Sequence, residues 1–117
     1  MKTLSLLLLL GLLAGCGGIR STIGIDPGEQ FVLGGSQKGA FTARLVNLGA
    51  VPVEVAERLV DGTTTHRATL APEQSATLTF ADGSAALLVN RSGRAASVRG
   101  VITGDTRLGM AYTPADG

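Results

Sequence analysis

The sequence predicts an all-β protein, folded as a small antiparallel β-sandwich of about seven to eight strands. Short apolar or alternating segments recur along the chain, and turn residues separate them at intervals of roughly 8 to 12 residues. No segment beyond residue 15 keeps apolar side chains at helical spacing. The 117 residues suffice for one domain with its own core, but they leave little room for a deep catalytic cavity.

Eight segments are predicted to form strands, because each combines apolar or alternating residues with flanking turn residues. They are 30–33, 40–47, 51–59, 63–70, 76–80, 85–90, 95–103 and 106–112. Alternation is clearest at Val51, Val53 and Val55. Such a strand is expected to face the core on one side and solvent on the other.

Two Asp-Gly pairs stand between predicted strands, at Asp61-Gly62 and Asp82-Gly83. Asp-Gly readily adopts the positive φ angles of a tight hairpin turn. We therefore expect each pair to join two neighbouring strands of one sheet.

The N-terminal segment has the order of a secretory signal: a positive start at Lys2, an apolar run from Leu4 to Leu13, and then small residues. The run is about ten residues long, whereas a bilayer span needs roughly 20. We therefore predict a removable signal peptide at residues 1–15. Residues 16–28 are rich in glycine and predict a flexible tether, and residues 29–117 predict the β-sandwich domain.

The cleavage region Leu13-Ala14-Gly15-Cys16 resembles the lipobox of bacterial lipoproteins. The resemblance implies diacylation of the Cys16 thiol and cleavage between Gly15 and Cys16. The chain has no other cysteine, so an internal disulfide is excluded. An intermolecular bridge or a reactive free thiol are the alternatives to lipidation. Gly17 after the cysteine implies sorting to the outer membrane, facing the periplasm, if the organism has two membranes.

Two internal segments resemble immunoglobulin-like modules of exported bacterial proteins. Residues 47–55 (NLGAVPVEV) are similar to the pattern N-x-G-x-x-P-V-x-V, and residues 70–78 (LAPEQSATL) are similar to L-x-P-G-x-x-x-x-L. Glu73 stands where those modules usually have glycine. The resemblance implies an immunoglobulin-like sandwich and implies little about function.

Charge and composition argue against nucleic-acid binding. Ten Lys and Arg stand against nine Asp and Glu, which gives a net charge of +1. The arginines are scattered, apart from a loose set at Arg91, Arg94 and Arg99. Nucleic-acid affinity needs a basic footprint that neutralises phosphates, so no nucleic-acid partner is predicted.

The sequence offers no recognisable catalytic set. His66 is the only histidine and Asp61 is near it in sequence, but Ser75, Ser84 and Ser92 all lack the Gly-x-Ser-x-Gly context of a nucleophile elbow. A metal site needs three or four His, Cys or carboxylate ligands. We therefore predict a non-enzymatic protein with no catalytic residue, no metal and no cofactor.

Glu54 and Glu57 also fail to predict acid–base chemistry. Three residues apart on a strand, they point to opposite faces, so we interpret them as separate solvated charges. Gly34-Gly35 lacks the downstream Lys-Ser/Thr of a phosphate-binding loop.

Aromatic residues are too few for a sugar-stacking platform. The chain has three phenylalanines, one tyrosine and no tryptophan. Phe31, Phe41 and Phe80 fall in apolar strands and are expected in the core. Tyr112 is expected to be half-buried with its hydroxyl in solvent.

These observations predict a membrane-anchored lipoprotein of the cell envelope that acts as a structural or protein-interaction module. The lipid at Cys16 would hold it on the membrane, and another envelope protein would be its partner. Binding of a small apolar or lipidic ligand between the sheets is the alternative function, suggested by the 44% apolar content.

Overall fold

The structure is a computed structural model, and it describes residues 18–115. This part of the chain contains nine β-strands and no helix, and therefore no helix that could cross a membrane. The strands are β1 (Ile19–Ile25), β2 (Glu29–Gly34), β3 (Phe41–Asn47), β4 (Val53–Arg58), β5 (Thr64–Leu70), β6 (Ser75–Phe80), β7 (Ala85–Val89), β8 (Ala96–Gly104) and β9 (Met110–Pro114).

The strands form two antiparallel sheets with the orders β1-β8-β3-β6 and β5-β4-β7-β2-β9. Successive strands alternate between the two sheets, and only β4 and β5 are neighbours both in sequence and in a sheet. For the first eight strands this is the order of a double-sheet jelly roll. β9 extends the five-stranded sheet beyond β2.

The core lies between the sheets because each strand turns alternate side chains inward. On β3, for example, Phe41, Ala43 and Leu45 are buried, whereas Arg44 between them is exposed. Phe41 begins β3 and Phe80 ends β6, and the two paired residues stack with ring centroids 5.1 Å apart within this core. The expectation that all three phenylalanines lie in the core is confirmed.

An all-β, antiparallel, two-sheet sandwich is therefore confirmed, with nine strands rather than seven to eight. All eight predicted strands exist, and seven of them both begin and end within two residues of the predicted bounds. The last strand begins at Met110 instead of residue 106. Tyr112 on this strand is about half exposed.

The prediction of a flexible tether at residues 16–28 is wrong for residues 19–25, which form strand β1. Residues 19–25 pair with β8 along their whole length, and Ile23 and Ile25 are buried against the core. The alternating isoleucines form a strand despite the nearby glycines, because burial of apolar side chains outweighs the flexibility of Gly24. The predicted signal peptide at 1–15 and Cys16 lie outside the described residues.

The two Asp-Gly turns differ. Asp61-Gly62 closes the β4–β5 hairpin, and Gly62 there has a φ of 93°. Asp82-Gly83 connects β6 to β7, which belong to opposite sheets, so the expected second hairpin is wrong. A turn motif determines the local reversal of the chain, but it does not determine which sheet the next strand joins.

Asn90 fixes the loop that follows β7. Its side chain is fully buried, and Nδ2 donates to the carbonyl oxygens of Ile25 and Arg94 at 2.9 and 2.7 Å. Its Oδ1 accepts from both the backbone N–H and the hydroxyl of Ser92. These four bonds hold the position of Arg91, which lies on the outer face of the five-stranded sheet.

Candidate functional site

Core side chains fill most of the space between the sheets. That space contains a cavity of about 20 Å³, lined mainly by carbon atoms of core residues such as Ile23, Phe31, Leu45 and Leu88. That volume admits about one water molecule. The predicted alternative of an apolar or lipidic ligand between the sheets is therefore wrong, because core side chains already fill the space.

Glu57 is the carboxylate that faces the inner layer of the described sandwich. Arg67 Nη1 lies 2.6 Å from Glu57 Oε1, and the Ala81 N–H donates to Glu57 Oε2 at 3.0 Å. The guanidinium also lies 5.1 Å from the centroid of the Phe80 ring and donates to the carbonyl of Thr79. Together, Glu57 on β4 and Arg67 on β5 therefore connect these two strands to the end of β6 in the other sheet.

Burial of Glu57 raises its pKa, but the hydrogen bond from Ala81, together with Ser84 and Arg67, outweighs burial and holds the pKa below the ordinary value. A general base for neutral pH needs a pKa near 7 instead. Glu57 thus stays ionised as a structural contact. Glu54 and Glu57 do point to opposite faces, but Glu57 is buried rather than solvated.

In the described part of the chain His66 contacts a hydroxyl, and Asp61 is bonded elsewhere. His66 is exposed on the outer face of β5, and its Nε2 lies 3.4 Å from Thr69 Oγ1. Asp61 instead accepts hydrogen bonds from the backbone N–H and hydroxyl of Thr63. Ser84 is buried. Across residues 18–115, no three His, Cys, Asp or Glu side chains form a group that could hold a metal ion, and the inner faces supply no such donor set.

The outer face of the five-stranded sheet, unlike the space between the sheets, combines apolar and polar side chains. Two adjacent rows of cross-strand neighbours form its centre. One row reads His66, Ala56, Leu87, Val32 and Ala111 from β5 to β9, and the other reads Thr69, Glu54, Val89, Gln30 and Thr113.

Two adjoining hollows of about 340 and 230 Å³ cross these rows, and they share Glu54, Val89 and Arg91. We call the combined depression the trough. Its floor consists of Ala56, Leu87 and Val89, which are buried although they face outward. Its rim is polar and consists of Gln30, Glu54, Thr64, His66, Thr69, Arg91 and Ser92.

Charges of both signs meet on the rim. Arg91 Nε lies 3.2 Å from Glu54 Oε1, and the two side chains are 50% and 40% exposed. Gln30 is buried, and its Nε2 donates to Thr113 Oγ1 at 3.1 Å, which orients the amide. The rim therefore offers carboxylate, guanidinium, amide, imidazole and hydroxyl groups around an apolar floor.

Sequence reasoning found Glu54, His66 and Arg91 as individual residues but did not bring them together. Residues 54 and 91 are 37 positions apart, and only the pairing of β4 with β7 makes them neighbours. The alternation of β4 was a usable signal, because it placed Glu54 on the face opposite the core.

Comparison of the sequence with protein-family models gives no match, and comparison with curated proteins gives none. Solved structures do match. One is the Cupin_2 domain of an XRE family transcriptional regulator from Enterobacter cloacae, 18% identical, with a TM-score of 0.53 over 79% of this chain and 86% of that one. Another is a sugar phosphate isomerase of a cupin superfamily, from the organism Silicibacter pomeroyi. It is 15% identical to this chain, and the match has a TM-score of 0.51 and covers 86% of this chain and 69% of that one. The fold is that of the cupins. At these identities the similarity shows the fold alone.

The cupin fold corrects two expectations. The resemblance to a lipoprotein with an immunoglobulin-like sandwich is wrong, because the structural neighbours are cupins, whose jelly roll is a different β-sandwich. The expected role as a membrane-anchored structural or interaction module is wrong for the same reason. In this structure residues 47–55 run from the end of β3 into β4, and residues 70–78 run from the end of β5 into β6.

Lipidation of Cys16 and cleavage after Gly15 concern residues outside the described part of the chain, and they stay predictions. The envelope localisation also stays a prediction.

Proposed function

We propose that this protein is a non-catalytic binding domain that takes a small saccharide in the trough of the five-stranded sheet. The observation that carries the proposal is the combination of an apolar floor with a polar rim in one depression. Small-molecule sites generally have this construction, with a few polar groups that fix orientation above apolar contact surface.

The chemistry of the trough suits a sugar ring. Such a ring has an apolar C–H face and a hydroxyl-bearing edge. Ala56, Leu87 and Val89 provide a floor for the C–H face, and the short side chain of Ala56 leaves the space for it. Glu54 accepts hydrogen bonds from hydroxyls, Arg91 donates them, and the Gln30 amide does both.

One structural neighbour acts on a ligand of this class. It is described as a sugar phosphate isomerase, and its activity belongs to that protein. For this chain we propose binding without turnover, because Glu57 is engaged by Arg67 and His66 has no carboxylate partner within the described sandwich.

The proposal is tested by recording backbone amide spectra while glucose, galactose, N-acetylglucosamine or glucose 6-phosphate is added at millimolar concentration. We expect at least one of them to shift amide signals of β4, β7 and the loop at residues 91–94. An absence of shifts at the trough with all four sugars would contradict the proposal.

A pair of matched variants locates the site. Ala56→Leu adds a side chain to the floor of the trough, and we expect roughly tenfold weaker sugar binding. Ala111→Leu makes the same change in the same cross-strand row, but outside the trough. It should leave affinity unchanged, and equal losses in both variants would show that the trough is not the site.

A further inference from the structure

The outer face of the four-stranded sheet carries charge of a single sign. Its outward side chains include three arginines, Arg20, Arg44 and Arg99, and no carboxylate. The remaining outward positions on the four strands are Thr22, Gly24, Thr42, Val46, Ser75, Thr77, Thr79, Ser97, Val101 and Thr103. We call this surface the arginine face.

The strand register brings the three arginines close together. Arg20 on β1 and Arg44 on β3 both pair with Val101 of β8, so their Cα atoms are about 10 Å apart across two strand spacings. Arg99 lies two residues along β8 from Val101, roughly 8 Å from each of the others. The Cα atoms of the three arginines thus form a triangle on one face of the sheet.

These arginines are available to a partner. All three are exposed, and none forms an ion pair with a carboxylate in the part of the chain that the structure describes. By contrast, Arg67 and Arg91 have carboxylate partners on the other sheet. The positive charge of the arginine face is therefore not neutralised within the described fold.

We infer that the arginine face is a docking surface for the acidic surface of a partner protein, one that presents a cluster of carboxylates to the three arginines. Guanidinium groups bind carboxylates in a bidentate manner that ammonium groups cannot reproduce. The face contains arginine and no lysine, and protein interfaces show the same preference. Val46 and Val101, both half-buried, add apolar contact between the charges.

Other polyanions fit the face less well. It has no aromatic side chain on which bases could stack, as single-stranded nucleic acids require. Double-stranded DNA needs more phosphate contacts than three arginines provide. Arg20, Arg44 and Arg99 line none of the cavities of about 20, 230, 270 and 340 Å³ between residues 18 and 115, so none of these cavities could hold a polysaccharide chain against them.

The inference does not depend on the proposed sugar site. The trough and the arginine face lie on opposite outer surfaces of the sandwich and belong to different sheets. Either surface can fail its test while the other passes.

The test uses poly-L-glutamate as the carboxylate probe, with heparin, duplex DNA and phosphatidylglycerol vesicles as competing classes. Binding is measured by fluorescence anisotropy or co-sedimentation between about 50 and 200 mM salt. We expect poly-L-glutamate to bind more tightly than the other three, with affinity that falls as salt rises.

Two variants and one control identify the surface. The triple variant R20E/R44E/R99E should lose binding at least roughly tenfold, and R20Q/R44Q/R99Q should lose less. The control K38E/R58E/R94E changes the net charge as much as the first variant, but at residues outside the arginine face. We expect its affinity to stay within about twofold of the wild-type value.

Three outcomes would overturn the inference: no binding of poly-L-glutamate, an equal loss in the control, or tighter binding of heparin, DNA or vesicles through the same arginines. The last outcome would assign the face to a different class of partner. Far-UV circular dichroism and a thermal melt confirm that each variant is folded.

Discussion

The two outer faces of this jelly roll differ in shape and in charge. The outer face of the five-stranded sheet carries a depression whose rim pairs Arg91 with Glu54, whereas the outer face of the four-stranded sheet carries arginines without carboxylates. A chain with a net charge of +1 therefore has a distinctly positive side. Net charge describes the whole molecule, but a partner meets only one surface.

The largest expected effect comes from the core on which both faces depend. Phe80→Ala removes the ring that stacks on Phe41 and lies beneath Arg67. We expect a loss of about 3 to 5 kcal/mol in the free energy of unfolding, measured by urea denaturation. At temperatures where the variant unfolds, both binding activities should disappear together. Retention of either one by the unfolded chain would contradict the assignment of both to folded surfaces.

A less destabilising substitution, Asn90→Ala, should affect binding on one face and not on the other. Asn90→Ala removes four hydrogen bonds around the loop that carries Arg91, and we expect a loss of about 1 to 3 kcal/mol in unfolding free energy. In the protein that remains folded, sugar binding should weaken and poly-L-glutamate binding should not change. Equal weakening of both would show that the two surfaces are coupled through the core.

Acid should weaken the contact between the sheets without acting first on either face. The pKa of Glu57 is lower in the folded chain than its ordinary value of 4.5, so its contribution to stability is complete above pH 4.5. That contribution is lost as the pH falls through the lowered pKa. The melting temperature of the wild type should therefore drop below pH 4.5 more steeply than that of Glu57→Gln. Parallel curves for the two proteins would contradict this role.

The smallest effect is expected at a turn away from both faces. Glu73 follows Pro72 with a φ of 72°, and Gly28 follows Pro27 with a φ of 75°. Positive φ favours glycine, so Glu73→Gly should raise the unfolding free energy by roughly 0.5 to 1 kcal/mol. Gly28→Glu should lower it by a similar amount, since no heavy atom lies within 4 Å of its added Cβ. Glu73→Gly should not alter binding on either face.

The sequence predicted the strands better than their arrangement. Alternation at residues 51–55 correctly placed Val53 and Val55 inside and Glu54 outside. Local turn residues, however, say nothing of pairing between distant strands. β1 joins β8 across more than 70 residues, and β4 and β5 alone form a hairpin. The immunoglobulin-like and cupin sandwiches differ in this pairing.

The same limitation applies to the two surfaces. Arg20, Arg44 and Arg99 look scattered along the chain, and they become neighbours only because β1, β8 and β3 are adjacent. Glu54 and Arg91 meet through the pairing of β4 with β7. The alternation within a strand predicts which face of the sheet a side chain occupies. Which other residues lie beside it on that face depends on the order of the strands in the sheet.

The most direct test of two separate binding surfaces is one amide spectrum of the wild-type protein, recorded with a binding sugar, with poly-L-glutamate, and with both. The account predicts that the sugar shifts signals of β4 and β7, that poly-L-glutamate shifts those of β1, β3 and β8, and that the two sets add without interaction. Overlapping shifts, or displacement of one probe by the other, would contradict it.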